Sequence, residues 1–151
     1  MSTDQDQSTA PDLPSPDSVL PHRPPFLFLD EVTHLEPGVE ARGYWVPSGE
    51  NAFFAGHFPG RPTLPGVLMC EAIAQLGAYA VLHGASFAGK LPLFGGLDKA
   101  RFRRQVLPDE RLDLEIQVTR LSARAGKANG KASVDGEEAC RCELMFVAVD
   151  V

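Results

Sequence analysis

The sequence contains no apolar run of about 18 residues or more, so no spanning helix is expected. Its cysteines are sparse and odd in number, Cys70, Cys140 and Cys142, which excludes a disulfide framework. It also lacks an excess of cations. Fourteen Lys and Arg face 20 Asp and Glu, the wrong balance for general nucleic-acid affinity. The widespread enzyme signatures are missing: no G-x-G-x-x-G, no G-x-x-x-x-G-K-[ST], no G-x-S-x-G and no H-E-x-x-H. Nucleotide-cradling and zinc-hydrolase classes are thereby set aside. No period of 20–50 residues repeats, which removes solenoids and propellers. The polar, acidic start from Met1 to Ala10 fits neither a secretory signal nor a transit peptide. The expected location is cytoplasmic, and no membrane insertion is expected.

What remains is material for one domain. The chain has 151 residues, 44% of them hydrophobic and 23% charged, enough for a real core. Residues 1–18 hold Asp4, Asp6, Asp12 and Asp17 with no Lys or Arg, amid Ser, Gln and Pro. They read as a disordered acidic extension, with the folded domain over 19–151. Extended segments are expected from Leu27 to Leu35 and from Val39 to Val46, turned by Pro37-Gly38. Between Gly56 and Gly66 the density of Gly and Pro excludes any regular element. A helix then starts near Pro65 and runs to Leu82, apolar on nearly every face, hence enclosed by other structure. Strands are expected at Leu93–Arg104, Asp113–Thr119, Lys127–Val134 and Glu137–Val147, with Asp135-Gly136 as a two-residue hairpin turn. The economical architecture is α+β: a curved antiparallel sheet wrapped around one long buried helix. Cys140 and Cys142 alternate along a strand and share a face. With no further Cys or His at ligand spacing, they read as small buried hydrophobes and no metal site is expected.

Two ionisable residues stand out in the stretch from Gly56 to Glu71. Glu71 sits about one and a half turns into the apolar helix, and only Gln75 shares its face. A carboxyl there must be protonated, hydrogen-bonded or in a cavity, or else paired with a cation at an edge or interface. A raised pKa would suit a general acid. His57 precedes a backbone path fixed by Pro and Gly, where an imidazole could serve as a base or could merely pack. His22, His34 and His83 read as ordinary surface or packing histidines. Free N–H groups at the helix start near Gly66 offer a clamp for a polarised carbonyl. Together such groups would serve proton abstraction beside a carbonyl.

The segments Leu20–Phe26 with Asp30, Gly56–Gln75, Asp98–Arg104, Gly130–Gly136 and Glu143–Phe146 resemble the β-hydroxyacyl–acyl-carrier-protein dehydratases of the FabZ type. The resemblance covers about residues 19–147 and is most specific over Gly56–Gln75. It implies a hot-dog fold and syn elimination of water from a (3R)-hydroxyacyl thioester on acyl carrier protein, without metal or organic cofactor. By the family pattern His57 takes the C2 proton and Glu71 protonates the departing hydroxyl. The Gly66 amide would hold the thioester carbonyl, and the Thr63 carbonyl would orient the imidazole. The pattern pairs His57 of one subunit with Glu71 of another, so a homodimer is the minimal unit and a trimer of dimers is common. Glu at position 71, where the related FabA-type dehydratase–isomerases carry Asp, favours dehydration without isomerisation. Two positions depart from the pattern. Pro108-Asp109-Glu110 lacks the usual Gly, and Pro24 stands where an aromatic is frequent.

Lys99, Arg101 and Arg103 would share one face of a strand if it alternated regularly. Such a run usually marks a solvated face. Beside the resemblance it becomes a candidate docking patch for an acidic carrier protein or its phosphopantetheine. Phe94 and Leu97 are candidates for setting tunnel depth, and with it chain length. The rival readings are a hot-dog acyl thioesterase, a non-catalytic acyl-binding partner subunit, and the same dehydration in a specialised pathway, including hydroxymyristoyl substrates of lipid A synthesis.

Overall fold

A computed structural model describes residues 12–151. A short helix α1 (Pro16–Val19) leads to β1 (Glu31–Glu36) and β2 (Glu40–Trp45). Then come α2 (Ala52–Gly56), the long helix α3 (Gly66–Leu82) and a 3-10 turn at Ala85–Phe87. Four strands complete the chain: β3 (Lys90–Phe102), β4 (Leu112–Leu121), β5 (Ala125–Val134) and β6 (Glu137–Asp150). All six form one antiparallel sheet in the order β1-β2-β4-β5-β6-β3. The sheet lies around α3 in the hot-dog arrangement.

Alternation explains how the sheet covers the helix. Leu112, Leu114 and Ile116 of β4 point inward, as do Cys140, Cys142, Leu144 and Phe146 of β6, and all are buried. On α3 the buried set runs nearly all round, including Cys70, Ile73, Leu76, Tyr79 and Val81. Two glycines allow close approach: a Cβ on Gly77 would lie 2.6 Å from Ile116 Cδ1, and one on Gly130 would strike the Ile73 side chain. The three cysteines are buried and unbridged, with Cys70 Sγ 3.8 Å from Cys140 Sγ. Among the described residues no helix is long and apolar enough to cross a membrane.

The turns follow from their residues. Asp135 and Gly136 take φ of 50° and 82°, the two positive angles that a type I′ hairpin requires. At Pro108-Asp109-Glu110 the absent Gly is replaced in conformation by Asp109 itself, at φ 69°. Asp tolerates that region, and here its Oδ1 accepts the Gly49 N–H at 3.0 Å.

Several expected boundaries move. The first strand begins at Glu31 and not at Leu27. The Phe28 N–H donates to Gln75 Oε1 at 2.7 Å, so it is withdrawn from the sheet ladder. Helix α2 lies in a stretch for which no helix was expected. On β3 a bulge falls between Asp98, opposite Glu143, and Arg101, opposite Arg141, with Lys99 at φ 53°. Regular alternation therefore fails for Lys99, Arg101 and Arg103.

The expected disordered extension over 1–18 also needs revision. Residues 1–11 lie outside the described residues. From Asp12 onward the chain already lies on the body: Pro16 is buried, Leu13 packs on the core, and the Tyr79 hydroxyl donates to Pro14 O at 2.6 Å. Prolines stiffen this segment before it docks, which reduces the ordering entropy that its polar composition suggested. A chain starting at Val19 should therefore melt several degrees below one starting at Asp12, as differential scanning calorimetry would show. Equal melting temperatures would return the boundary to Val19.

Candidate active site

His57 caps the end of α2, its N–H donating to Phe54 O at 3.3 Å. The loop after it closes on itself. Thr63 N–H donates to His57 O at 2.9 Å, and Phe58 and Arg61 exchange backbone hydrogen bonds of 3.1 and 2.8 Å. Gly60, at φ 73°, makes that tight turn without strain. Across the closed loop, His57 Nδ1–H donates to Thr63 O at 2.9 Å. A carbonyl can only accept, so the proton sits on Nδ1 and Nε2 keeps its lone pair. Phe58 stacks on the imidazole at 4.1 Å between centroids. The imidazole is thus held in one orientation.

Glu71 lies one turn before Gln75 on α3. Gln75 Nε2 donates to Glu71 Oε2 at 3.0 Å and to Phe26 O at 3.1 Å. With its Oε1 held by Phe28 N–H, the amide is fixed at every atom. Burial pushes the Glu71 carboxyl above the usual carboxylate range, and the Gln75 hydrogen bond only partly opposes it. A carboxyl so placed keeps its proton closer to neutral pH. It opens on a cavity of about 200 Å³ walled by Ala74, Ala78, Leu93, Phe94, Leu144 and Phe146 among others.

At the α3 N-terminus neither Gly66 nor Val67 N–H finds an acceptor among the described residues. Phe102 lies against Gly66 so closely that a Cβ there would be 2.8 Å from Cδ1. Within one chain His57 and Glu71 share no hydrogen bond, and His57 is not in the wall of the Glu71 cavity. Of the candidate tunnel residues, Phe94 lines that cavity and Leu97 does not.

One neighbour was read as an ordinary histidine. His22 Nε2 lies 3.7 Å from Glu71 Oε2, in the same cavity. The signal was its place in Leu20–Phe26, a segment held by three prolines next to the buried Leu20. The docking candidates fare unequally. Lys99 lies 3.7 Å from Glu143 Oε2, and Arg103 Nε donates to Glu138 at 2.9 Å. The Arg141 and Arg103 guanidinium groups hold the Glu138 carboxyl down at about 2, so it stays charged. Among the described residues Arg101 has no acidic partner and donates only to Ala100 O. A pocket of about 460 Å³ on the outer sheet face is larger than the Glu71 cavity. Its Lys99, Lys131 and Arg141 are paired with Glu143, Glu115 and Glu138, and it holds neither His57 nor Glu71.

The FabA-like domain family matches residues 20–143, which include His22, His57, Thr63, Gly66, Glu71 and Gln75. The chain belongs to the FabA-like family. It is 47% identical over 133 residues to the 3-hydroxyacyl-[acyl-carrier-protein] dehydratase FabZ of Staphylococcus aureus strain JH9, covering 88% of this chain and 91% of the relative. The FabZ of strain Newman gives the same figures. Among solved structures, the fold is similar to "The Dehydratase Heterocomplex ApeI:P" from Xenorhabdus doucetiae, with a TM-score of 0.77 at 18% identity. That match covers 92% of this chain and 93% of the other. Cj0977, a sigma28-regulated virulence protein from Campylobacter jejuni, gives a TM-score of 0.68 at 11% identity, covering 90% and 89%. The matches to the two FabZ relatives thus span most of both chains.

Proposed function

We propose that this protein is a (3R)-3-hydroxyacyl-[acyl-carrier-protein] dehydratase of fatty-acid synthesis, a hydro-lyase acting in the cytoplasm. The observation that carries the reading is the 47% identity to a FabZ dehydratase over 88% of the chain. The oriented base and the protonatable carboxyl support it. His57 Nε2 takes the C2 proton, its lone pair freed by the Nδ1–H bond to Thr63 O. The C2 electron pair forms the C2=C3 double bond as the C3–O bond breaks. Glu71 gives its proton to the departing hydroxyl, which leaves as water. The Gly66 N–H stabilises the negative charge that develops on the thioester oxygen. A trans-2-enoyl thioester results. His57 then holds the C2 proton and Glu71 is left as a carboxylate, and exchange with solvent resets both.

A second copy of the chain completes the site. Strand β3 is a long edge with Leu93, Phe94, Leu97 and Phe102 all 42–50% exposed. Val67 and Phe58 are exposed too, at 65% and 52%. An edge so apolar is a template for pairing. Pairing through it would bring His57 of one copy to Glu71 of another, with three such dimers as the larger assembly. Acyl carrier protein is the partner that delivers substrate, and no cofactor takes part.

Incubating purified protein with 3-hydroxyacyl-carrier-protein of several lengths should give enoyl products lighter by one water, read by mass spectrometry. Free thiol released from the thioester would instead establish the thioesterase reading, and no reaction would favour an acyl-binding subunit. Arg101, the unpaired cation of the docking patch, gives a separate test. Arg101→Glu should raise KM several-fold for carrier-bound substrate and leave a small pantetheine thioester nearly unaffected, the difference shrinking in high salt. Equal losses on both substrates would remove Arg101 from docking.

A further inference from the structure

Two groups converge on one oxygen of Glu71. Gln75 Nε2 donates to Oε2 at 3.0 Å. His22 Nε2 lies 3.7 Å from the same Oε2, about half an ångström beyond hydrogen-bond length. Oε1 takes no hydrogen bond among the described residues, yet it is not sealed off. The one buried side-chain atom left without a partner there is His22 Nδ1.

That orphan fixes the tautomer. No acceptor faces Nδ1, whereas Nε2 faces a carboxyl oxygen, so the neutral ring carries its proton on Nε2. Burial lowers the His22 pKa, which favours the neutral ring. The ring is also held in place from its own loop. Arg23 folds back to donate to Leu20 O at 2.9 Å and to His22 O at 2.6 Å, and Leu20 is buried. The other walls around Glu71 carry no charge: Ala74 and Ala78 on α3, Pro92, Leu93 and Phe94 on β3, Leu144 and Phe146 on β6. Among the described residues of one chain, His22 is therefore the only ionisable neighbour of Glu71 in the cavity wall, and in the proposed dimer His57 of the second copy is the other.

We propose that His22 is a positioning residue for Glu71: with the Gln75 amide it directs two N–H donors at Oε2 and so reserves Oε1 for the transferable proton. The proposal rests on Glu71 being the acid of the dehydration. A carboxylic acid has one hydroxyl oxygen and one carbonyl oxygen, and the Gln75 donor on Oε2, with the His22 N–H next to it, gives that oxygen the carbonyl role. The proton then lies on the oxygen open to the cavity. Once that proton has gone to the departing hydroxyl, the same two donors stabilise the carboxylate left behind. The half-ångström gap closes as charge develops on Oε2. In this role His22 acts through Glu71.

The test compares His22→Phe with His22→Gln, whose amide places a donor near the position of Nε2 and cannot titrate. His22→Phe should lower kcat by about tenfold with KM within about twofold, as expected for loss of one group's orientation. It should also shift the basic limb of the kcat–pH profile upward. A donor to the carboxylate favours its ionised form, so removing the donor raises the Glu71 pKa. His22→Gln should recover most of kcat and return the limb toward its native place. Carboxyl 13C titration by NMR reads the Glu71 pKa without turnover, and should show the same rise in His22→Phe. An unchanged kcat and an unmoved Glu71 titration in His22→Phe overturn the proposal. So does an equal loss in both variants with a lowered melting temperature, which marks a packing role. Glu71→Gln separates the two levels: full activity there overturns Glu71 as the acid, whereas an inactive Glu71→Gln beside an unaffected His22→Phe overturns the positioning role alone.

Discussion

Mixing His57→Ala chains with Glu71→Gln chains should restore about a quarter of native activity, although each variant alone is depressed by about 10²-fold or more. The expectation follows from how the two groups are held. In one chain His57 is tied to Thr63 and Glu71 to Gln75, with no contact between them. The apolar β3 edge and the exposed Phe58 and Val67 offer the surface through which a second copy would bring them together. A mixed dimer then has one site carrying both lesions and one carrying neither. With equal amounts and random exchange, half the dimers are mixed and half of their sites are intact. If both residues of a site came from one chain, no combination would contain an intact site. Co-expression with two affinity tags isolates the mixed species, and enoyl formation measures it. Confirmed mixing without recovery would falsify the shared site.

Gly130→Ala should destabilise the fold more than any surface change. A Cβ at this position runs into Ile73 of α3 and lies 3.1 Å from Glu115 O on β4. Neither obstacle is a free end: Ile73 is fully buried, and the carbonyl belongs to the sheet. Overpacking of this kind costs about 1–3 kcal/mol. For a domain of this size that lowers Tm by roughly 3–10 °C. Gly56→Ala is the comparison, since a Cβ there meets nothing within 4 Å. Its Tm should stay near that of the native chain. A native Tm for Gly130→Ala would show that α3 can withdraw from β5 without loss. Ile73 lies two residues from Glu71, so a displaced helix should also depress turnover.

The helix and the four C-terminal strands could be read from the sequence because each follows one strong pattern. Gly66–Leu82 is apolar all round, and Asp113–Thr119 alternates without interruption. His57, Gly66 and Glu71 were legible as candidates because a Pro- and Gly-rich stretch and an isolated carboxyl both stand out from their surroundings, whereas Thr63 came only from the family resemblance. What escaped depends on tertiary partners. Phe28 leaves the sheet because a glutamine 47 residues away takes its N–H. His22 stands in a proline-held segment, but only the fold sets it beside Glu71. The bulge at Lys99 is likewise invisible in a run that seems to alternate Lys, Arg, Arg. Asp12–Ser18 was judged by polarity, although its anchors are backbone and proline contacts.

The order of elements along the chain sets a problem for synthesis. Helix α3 is apolar on every side, yet the strands that cover most of it, β3 to β6, all follow it. The ribosome must add about 70 more residues after Leu82, at roughly 5–20 residues per second, before that cover can close. For roughly 3–14 seconds the nascent helix has only β1 and β2 to shield it. β3 then has to wait for β6, its sole partner in the sheet and the last strand made. A nascent chain held by an arrest sequence just after Leu82 should therefore crosslink to holdase chaperones, and one released beyond Asp150 should not.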